Sequence, residues 1–333
     1  MTPPMTPKVF IDGHVGTTGL RIRDWMAGRA DIELLTVPAA YRKDPAARRE
    51  LLLAADLTVL CLPDDAAREA AQWAAAAEGT GNRPPRVLDA SSAHRVAAGW
   101  VYGLPELATG QRDAIRAARF VSNPGCYPSA FVLLTRPLVD AGLVAPAAPI
   151  AIHAVSGYSG GGRGLIERWE DPALGLCALP FEAPYALDRV HKHVPEMRHF
   201  ARLAREPQLV PAVVPFRCGM RIEIPLHADV LGPGASGKSV WEALAERYRG
   251  EAFVRVSPVR DPLESDERSF DPQACNDTNR IDLHVLPHPS GHVLLVAILD
   301  NLGKGASGAA IQNLNLMLGF PETTGLIEST PRA

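Results

Sequence analysis

The chain has 333 residues, 47% of them hydrophobic and 21% charged, with 34 Lys and Arg against 37 Asp and Glu for a net charge of −3. That length and composition fit a soluble globular protein of two domains. The near-neutral charge excludes a general electrostatic footprint for nucleic acid or an anionic membrane. Five scattered cysteines (Cys61, Cys126, Cys177, Cys218 and Cys275) are odd in number and lack C-x-x-C spacing. They argue against a disulfide framework or structural zinc and for a reducing compartment. The proline-rich residues 1–8 lack the apolar stretch of a signal peptide, and no run approaches the roughly 18 apolar residues of a membrane span. The expectation is a cytoplasmic protein with no metal and no nucleic-acid or membrane partner.

In chain order, residues 8–12 read as a strand that runs into Gly13-His-Val-Gly16-Thr-Thr-Gly19 and then into a helix from Leu20. In that context glycines let the backbone approach a pyrophosphate at a helix N-terminus, and Thr17 and Thr18 add hydroxyls. Gly13, Gly16 and Gly19 are therefore read as a dinucleotide-binding turn, the alternative being a tight turn with no ligand. Strands at 32–37, 57–62 and 86–89, with helices at 45–55 and 64–77, continue the alternation. The pattern predicts a Rossmann-type, doubly wound parallel sheet. Such folds read the adenosine ribose after the second strand, and here no acid occurs before Asp44. Arg42 and Lys43 suit the 2′-phosphate of NADP there, or are solvated loop charges. Residues 79–85 read as an exposed loop. Asp89-Ala-Ser-Ser-Ala-His-Arg95 follows the fourth strand and places Ser91, Ser92 and Arg95 to meet a polar ligand. Arg95 pairs there with a carboxylate or phosphate, or else with a surface acid.

A short apolar run over 119–121 leads to an Asn123-Pro-Gly turn and an apolar stretch of helical length with Pro128 near its start. Cys126 therefore falls at a helix N-terminus, where unpaired amides and the helix dipole favour a thiolate. It is the candidate nucleophile. The competing reading is a buried structural cysteine.

From about Pro146 the texture changes. A strand over 149–155 ends in Ser156-Gly-Tyr-Ser-Gly-Gly-Gly-Arg-Gly164, a loop suited to close backbone approach to a ligand, with Arg163 facing an anionic group. His191 and His193 stand just before a helix start at about Pro195. Histidine is the usual proton carrier near neutral pH, and a Cys–His pair distant in sequence activates thiols. From the residues alone, any of the 10 histidines competes for that role. Strands at 209–214, 220–226, 253–256, 280–286 and 292–299 follow. Among them lie a helix over 239–248 capped by Gly237-Lys-Ser and a polar loop over 261–279. This mixture predicts an α+β domain on a largely antiparallel sheet. Asp300-Asn-Leu-Gly-Lys-Gly-Ala-Ser-Gly308 then enters a helix over 311–318. That helix fits a return to the first domain, with or without a ligand at its entry.

Taken in order, Gly13 to Gly19, Asn123-Pro-Gly-Cys-Tyr-Pro128, Val155 to Gly162, His191-Lys-His-Val-Pro-Glu196 and Asp300 to Gly308 resemble the N-acetyl-gamma-glutamyl-phosphate reductases. The likeness is to the shorter, type 2 branch of this semialdehyde dehydrogenase family and covers about residues 8–319, with Ser129 where threonine is frequent. It implies an NADP-binding domain of residues 1–125 and 302–333 and a catalytic and oligomerisation domain of residues 126–301. It implies reduction of N-acetyl-L-glutamyl 5-phosphate by NADPH to the semialdehyde and phosphate, a step of arginine biosynthesis, through a Cys126 thioester. By motif position, His191 is the implied acid/base, taking the thiol proton and later serving the hemiacetal oxygen. His193 and Tyr185 line the substrate pocket, joined by Arg95 and Arg163. Ser156, Gly157 and Asn301 border the nicotinamide, and amides after Cys126 serve the oxyanion. A homodimer or homotetramer is implied. Open alternatives are an aspartyl or aminoadipyl semialdehyde dehydrogenase, a cysteine hydrolase using Cys126 and His191, and a non-catalytic dinucleotide sensor.

Overall fold

A computed structural model describes residues 6–14, 16–77, 84–259, 265–266 and 268–326. The expectations for residues 79–83 and 261–264, and Val15 of the glycine turn, lie outside the described residues. The chain divides into two compact units, one ending at Pro124 and resuming over Ala306–Leu326, the other spanning Gly125–Gly305.

In the first unit β1 (Lys8–Asp12), β2 (Glu33–Leu35), β3 (Leu57–Leu60), β4 (Arg86–Asp89), β5 (Val101–Tyr102) and β6 (Phe120–Ser122) form one sheet. Its order is β2-β1-β3-β4-β6-β5 and every pair is parallel. All of β3 and all but the first residue of β1 are buried, as expected of a parallel sheet covered on both faces. The crossovers are α1 (Thr17–Met26), α2 (Pro45–Ala54), α3 (Asp64–Ala76) and the unforeseen α4 (Gln111–Ala117). Asp44 caps α2 by accepting from the Ala46 amide at 2.9 Å, and Pro45 takes the first helical position. On α3, Ala67, Ala70, Ala71 and Ala74 recur at helical spacing and are buried. Three of them (Ala67, Ala70 and Ala74) pack with Phe10, Leu52, Leu60 and Val87.

One buried ion pair joins these layers. Arg48 of α2 donates from Nε and Nη2 to the carboxylate of Asp12, the last residue of β1, at 2.9 to 3.1 Å. The side chains are only 9% and 3% exposed, and the guanidinium lies over Trp73.

The second unit opens with α5 (Cys126–Asp140) and is built on seven strands. These are β7 (Ala151–Gly157), β8 (Ala183–Pro184), β9 (Gln208–Val214), β10 (Met220–Leu226), β11 (Val254–Val256), β12 (Ile281–Pro287) and β13 (Val293–Leu299). The order is β11-β12-β13-β10-β7-β9-β8, antiparallel except for the pairs β11·β12 and β7·β9. Along β10, Met220, Ile222, Ile224 and Leu226 are buried and the residues between them are not, the period-two signature of a sheet with one core face. The elements α5, α7 (Val194–Phe200) and α8 (Gly237–Arg247) pack in this unit.

Two local expectations are corrected here. The cap of α8 is Ser236, which forms a reciprocal capping box with Ser239, rather than Gly237-Lys-Ser. The glycine-rich stretch 156–164 is not an open loop: Tyr158–Gly161 is a 3-10 turn, and α6 (Arg163–Trp169) starts directly after it. The chain leaves the second unit through a π-helical turn, Gly303–Ser307, and re-enters the first unit as α9 (Gly308–Leu318). There Asn313 donates to the carbonyl of Gly103 at 2.7 Å and to the Asn123 side chain at 3.1 Å. A Cβ at Gly103 would fall 2.5 Å from the Asn313 amide. Among the described residues no helix is long and apolar enough to cross a membrane, and no group of three or more His, Cys, Asp or Glu side chains could hold a metal.

Arg48→Ala leaves the buried Asp12 without its cation and is expected to lower unfolding stability by about 3–5 kcal/mol. Arg202→Ala removes an exposed pair with Asp140 and is expected to cost less than about 1 kcal/mol. Urea denaturation of the two variants beside the parent checks the ranking.

Candidate active site

Cys126 is the first residue of α5, and Gly125 caps the helix in an extended conformation with no side-chain cap. The first turn itself carries no acidic residue, and the positive end of the helix faces the sulfur. Pro128, two positions on, has no N–H, which leaves Tyr127 as the nearest amide donor after Cys126. The Gly125 amide donates at 2.8 Å to Oε1 of Glu196, a carboxylate on α7 that is 1% exposed. From the other side Gly305 meets Cys126 so closely that a Cβ there would lie 2.7 Å from the cysteine Cβ. Asp300, fully buried, holds that approach. Its carbonyl accepts from Gly303 and Gly305, and its carboxylate accepts from Leu302 and Asp277.

Around Tyr127, the residue after the cysteine, stand a second phenol and two imidazoles. Tyr127 is 2% exposed, and its ring meets His191 and His193 edge-on at centroid distances of 5.9 and 5.7 Å. The two imidazoles are 4.7 Å apart. The Tyr185 hydroxyl donates to that of Tyr127 at 3.2 Å and lies 3.4 Å from Nε2 of His191. Nδ1 of His191 accepts the His193 amide at 3.1 Å. Burial pushes the Tyr185 phenol up to about 12, and burial followed by the Tyr185 and Cys126 charges raises that of Tyr127. Both phenols therefore keep their protons at neutral pH. Of the sequence-derived residues, the second unit thus links His191, His193 and Tyr185 through Tyr127, the chain neighbour of Cys126.

The other candidates of this unit are tied into its frame. Asn301, 1% exposed, accepts from the Gly219 amide and donates to Ser159, at 2.8 and 2.9 Å. Ser156 donates to the Gly157 carbonyl at 3.2 Å. Gly157 is needed for a self-contact, since a Cβ there would fall 2.5 Å from the Arg217 carbonyl oxygen. Arg163 pairs with Glu167 one helical turn on and is 74% exposed.

In the first unit, the Gly13 to Gly19 turn lies at the carboxyl end of β1, and β1 sits between β2 and β3. That is the switch point at which doubly wound sheets bind ligands. Gly13 has φ +88° and a Cβ there would meet the Cys61 carbonyl oxygen at 2.2 Å, while one at Gly19 would meet that of Gly13 at 2.5 Å. These two glycines are demanded by the turn itself. Gly16 caps α1 with no side-chain hydrogen bond, and Thr17 and Thr18 open a first turn free of acids, a setting that fits an anion. Arg42 is exposed and donates to the carbonyl of Ala39. Arg95 donates to the carbonyl of Asn123 at 3.1 Å, three residues before the cysteine. Ser91 and Ser92 spend their hydroxyls on Asp89 and Asp64.

Glu196, Tyr127 and Gly305 were not singled out from sequence. Glu196 was visible only as an acid in the first turn of a helix, Tyr127 as a core aromatic, and Gly305 as one glycine of a motif.

Residues 126–301 match the family described as semialdehyde dehydrogenase, dimerisation domain. Over 326 residues, 96% of this chain and 99% of the relative, the chain is 48% identical to N-acetyl-gamma-glutamyl-phosphate reductase 2 of Nostoc sp.. It is also 48% identical over 321 residues to the protein of that name from Pseudomonas putida, covering 96% of this chain and 99% of the relative. Among solved structures it resembles aspartate semialdehyde dehydrogenase II of Vibrio cholerae complexed with ASA, with a TM-score of 0.68 at 15% identity over 95% of this chain and 99% of that one. The aspartate semialdehyde dehydrogenase of Candida albicans with NADP gives 0.62 at 14% identity, over 94% and 98%. Those structural likenesses establish the fold, and the sequence identity extends along nearly the whole chain: it belongs to the N-acetyl-gamma-glutamyl-phosphate reductase family of semialdehyde dehydrogenases.

Proposed function

We infer that the chain reduces N-acetyl-L-glutamyl 5-phosphate to N-acetyl-L-glutamate 5-semialdehyde and phosphate in arginine biosynthesis, with Cys126 as nucleophile and NADPH as cofactor. The observation that carries this reading is the setting of Cys126, at the first turn of α5 and next to Tyr127, whose ring meets two imidazoles and whose hydroxyl meets a second phenol. The first unit is assigned to the cofactor and the second to catalysis and subunit contact, as a homodimer or homotetramer. Five free cysteines fit the reducing cytoplasm.

The first unit fits a dinucleotide. Gly13, Gly16, Thr17, Thr18 and Gly19 would hold the pyrophosphate against the start of α1, and Arg42 the 2′-phosphate. Ser156, Gly157 and Asn301 would border the nicotinamide. When bound, the reduced nicotinamide supplies the hydride that takes the acyl group to the aldehyde level.

The chain's own residues handle the rest. The helix end favours negative charge on the Cys126 sulfur, which attacks the acyl carbon. A C–S bond forms, the bond from carbon to the phosphate oxygen breaks, and phosphate departs with the electron pair. A thioester results. The Tyr127 amide and the Nε2–H of His191 supply donors for the carbonyl oxygen as it gains charge. After reduction, the thiohemiacetal oxygen re-forms its carbonyl, the C–S bond breaks, and its electron pair returns to sulfur as the aldehyde leaves. Arg95, His193 and Tyr185 would line the substrate pocket. The acid half of the His191 role fits the geometry better than the base half, because Nδ1 already accepts an amide proton.

The deciding assay is phosphate-dependent reduction of NADP⁺ with N-acetylglutamate semialdehyde, with aspartate semialdehyde as comparator. Turnover of the first and not the second is expected, and the reverse overturns the reading. Cys126→Ser should lose activity by roughly three orders of magnitude or more while NADP(H) still binds in a fluorescence titration. Arg42→Ala should reduce the preference for NADP over NAD by about tenfold, the worth of one charge-assisted contact. Gly305→Ala pushes a methyl into Cys126 and should lower kcat about 10- to 100-fold, with the fold retained by circular dichroism.

A further inference from the structure

The hydrogen bonds around His191 run in one direction. Nδ1 accepts the His193 amide at 3.1 Å, so the neutral ring carries its proton on Nε2. The same conclusion follows independently from the opposite side of the ring. Tyr185 has one hydroxyl proton and gives it to Tyr127 at 3.2 Å. Towards Nε2 of His191, 3.4 Å away, it can therefore only accept. The Ser156 hydroxyl also lies within hydrogen-bond reach of the Tyr127 phenol. Ser156 in turn donates to the Gly157 carbonyl at the end of β7.

We propose that Tyr127 and Tyr185 are positioning residues: their linked hydroxyls, reaching Nε2 of His191, hold the imidazole in its Nε2–H form as a donor for the chemistry of Cys126. The proposal rests on the reading of Cys126 and His191 given above and deepens it. Rings as well as hydroxyls contribute to the lock. The Tyr127 face or edge meets both imidazoles, and the Tyr185 ring lies 5.8 Å from that of His191. Because burial keeps both phenols protonated, the pair of hydroxyls persists across the neutral range. Its link to His191 is also its longest. At 3.4 Å the Nε2–H is held weakly, so a carbonyl oxygen gaining negative charge competes for it successfully. The lock thus orients the donor without consuming it. In these terms His191 acts on oxygen as a donor and does not draw the proton from the thiol, which the helix end already favours as thiolate.

The test combines two variants with two readouts. In long-range ¹H–¹⁵N spectra of ¹⁵N-histidine-labelled protein, neutral His191 is expected in the Nε2–H form, identified by its loss in His191→Asn. Tyr185→Phe and Tyr127→Phe keep both rings and remove one hydroxyl each. Each should give His191 a mixture of tautomers and lower kcat about tenfold or more, with KM changed less than about threefold and the thermal midpoint nearly retained. A parent spectrum with the Nδ1–H form overturns the proposal, and so do variants that keep both the tautomer and kcat. A fall in stability with the tautomer unchanged also overturns it, since the phenols would then be structural only. Because the spectra need no substrate, loss of the proposed reductase reading, seen as no turnover by the parent, is distinguishable from loss of the tautomer lock.

Discussion

The bond from the Gly125 amide to the Glu196 carboxylate is the constraint on which the candidate site depends. A turn of Asn-Pro-Gly is easily made and easily moved, and nothing in its own chemistry fixes where the next residue points. A buried carboxylate accepting from it at 2.8 Å ties the turn to α7, just after the segment that brings His191 and His193. Thiol and imidazoles therefore share one frame. Gly305 closes that frame from the far side, where the absence of a side chain admits the backbone to contact with Cys126. The fully buried Asp300 fixes the glycine in turn. The elements contributing to the site are far apart in sequence, yet each is held by a short, directional contact inside one unit.

The same economy governs the first unit, with a different sign of charge. Asp12 ends β1 beside the glycine turn and would repel an anion there. Arg48 covers it with a bidentate pair under Trp73. Such a pair adds little net stability compared with apolar residues of similar size. Its effect is to keep a carboxylate from spoiling a turn whose helix end suits phosphate.

Much of this was legible in the residues. Period-two and period-3.6 patterns located nearly all the strands and the longer helices, because burial on one face writes itself into composition. Cys126 was legible for a related reason: Asn-Pro-Gly followed by an apolar run has few structural solutions. What could not be read was partnership at long range. Nothing about Glu196 in its own helix says that it accepts from Gly125, and nothing in Tyr127 marks it as other than core. Asn301 and Gly157 show the converse. Their motifs resemble ligand contacts, yet much of their chemistry is spent on Gly219, Ser159 and Arg217. Glycine and amide motifs report close approach of backbone, and sequence does not say whether to a ligand or to the chain itself. Short elements such as α4 and α6 escaped because seven residues carry too little periodicity to register.

The return of the chain as α9 has a consequence for how the molecule is made. Among the described residues the second unit is continuous in sequence, so its partners there emerge from the ribosome together. The first is not. Its sheet is complete by Ser122, but the nearly buried helix that seals it, with Asn313 on Gly103 and Asn123, arrives almost two hundred residues later. Until then part of the apolar surface that α9 covers beside α1, α4 and β4 is exposed, a setting in which nascent chains pair wrongly or need a holdase. The last helix among the described residues is thus the one that decides when the first-made unit becomes safe from aggregation.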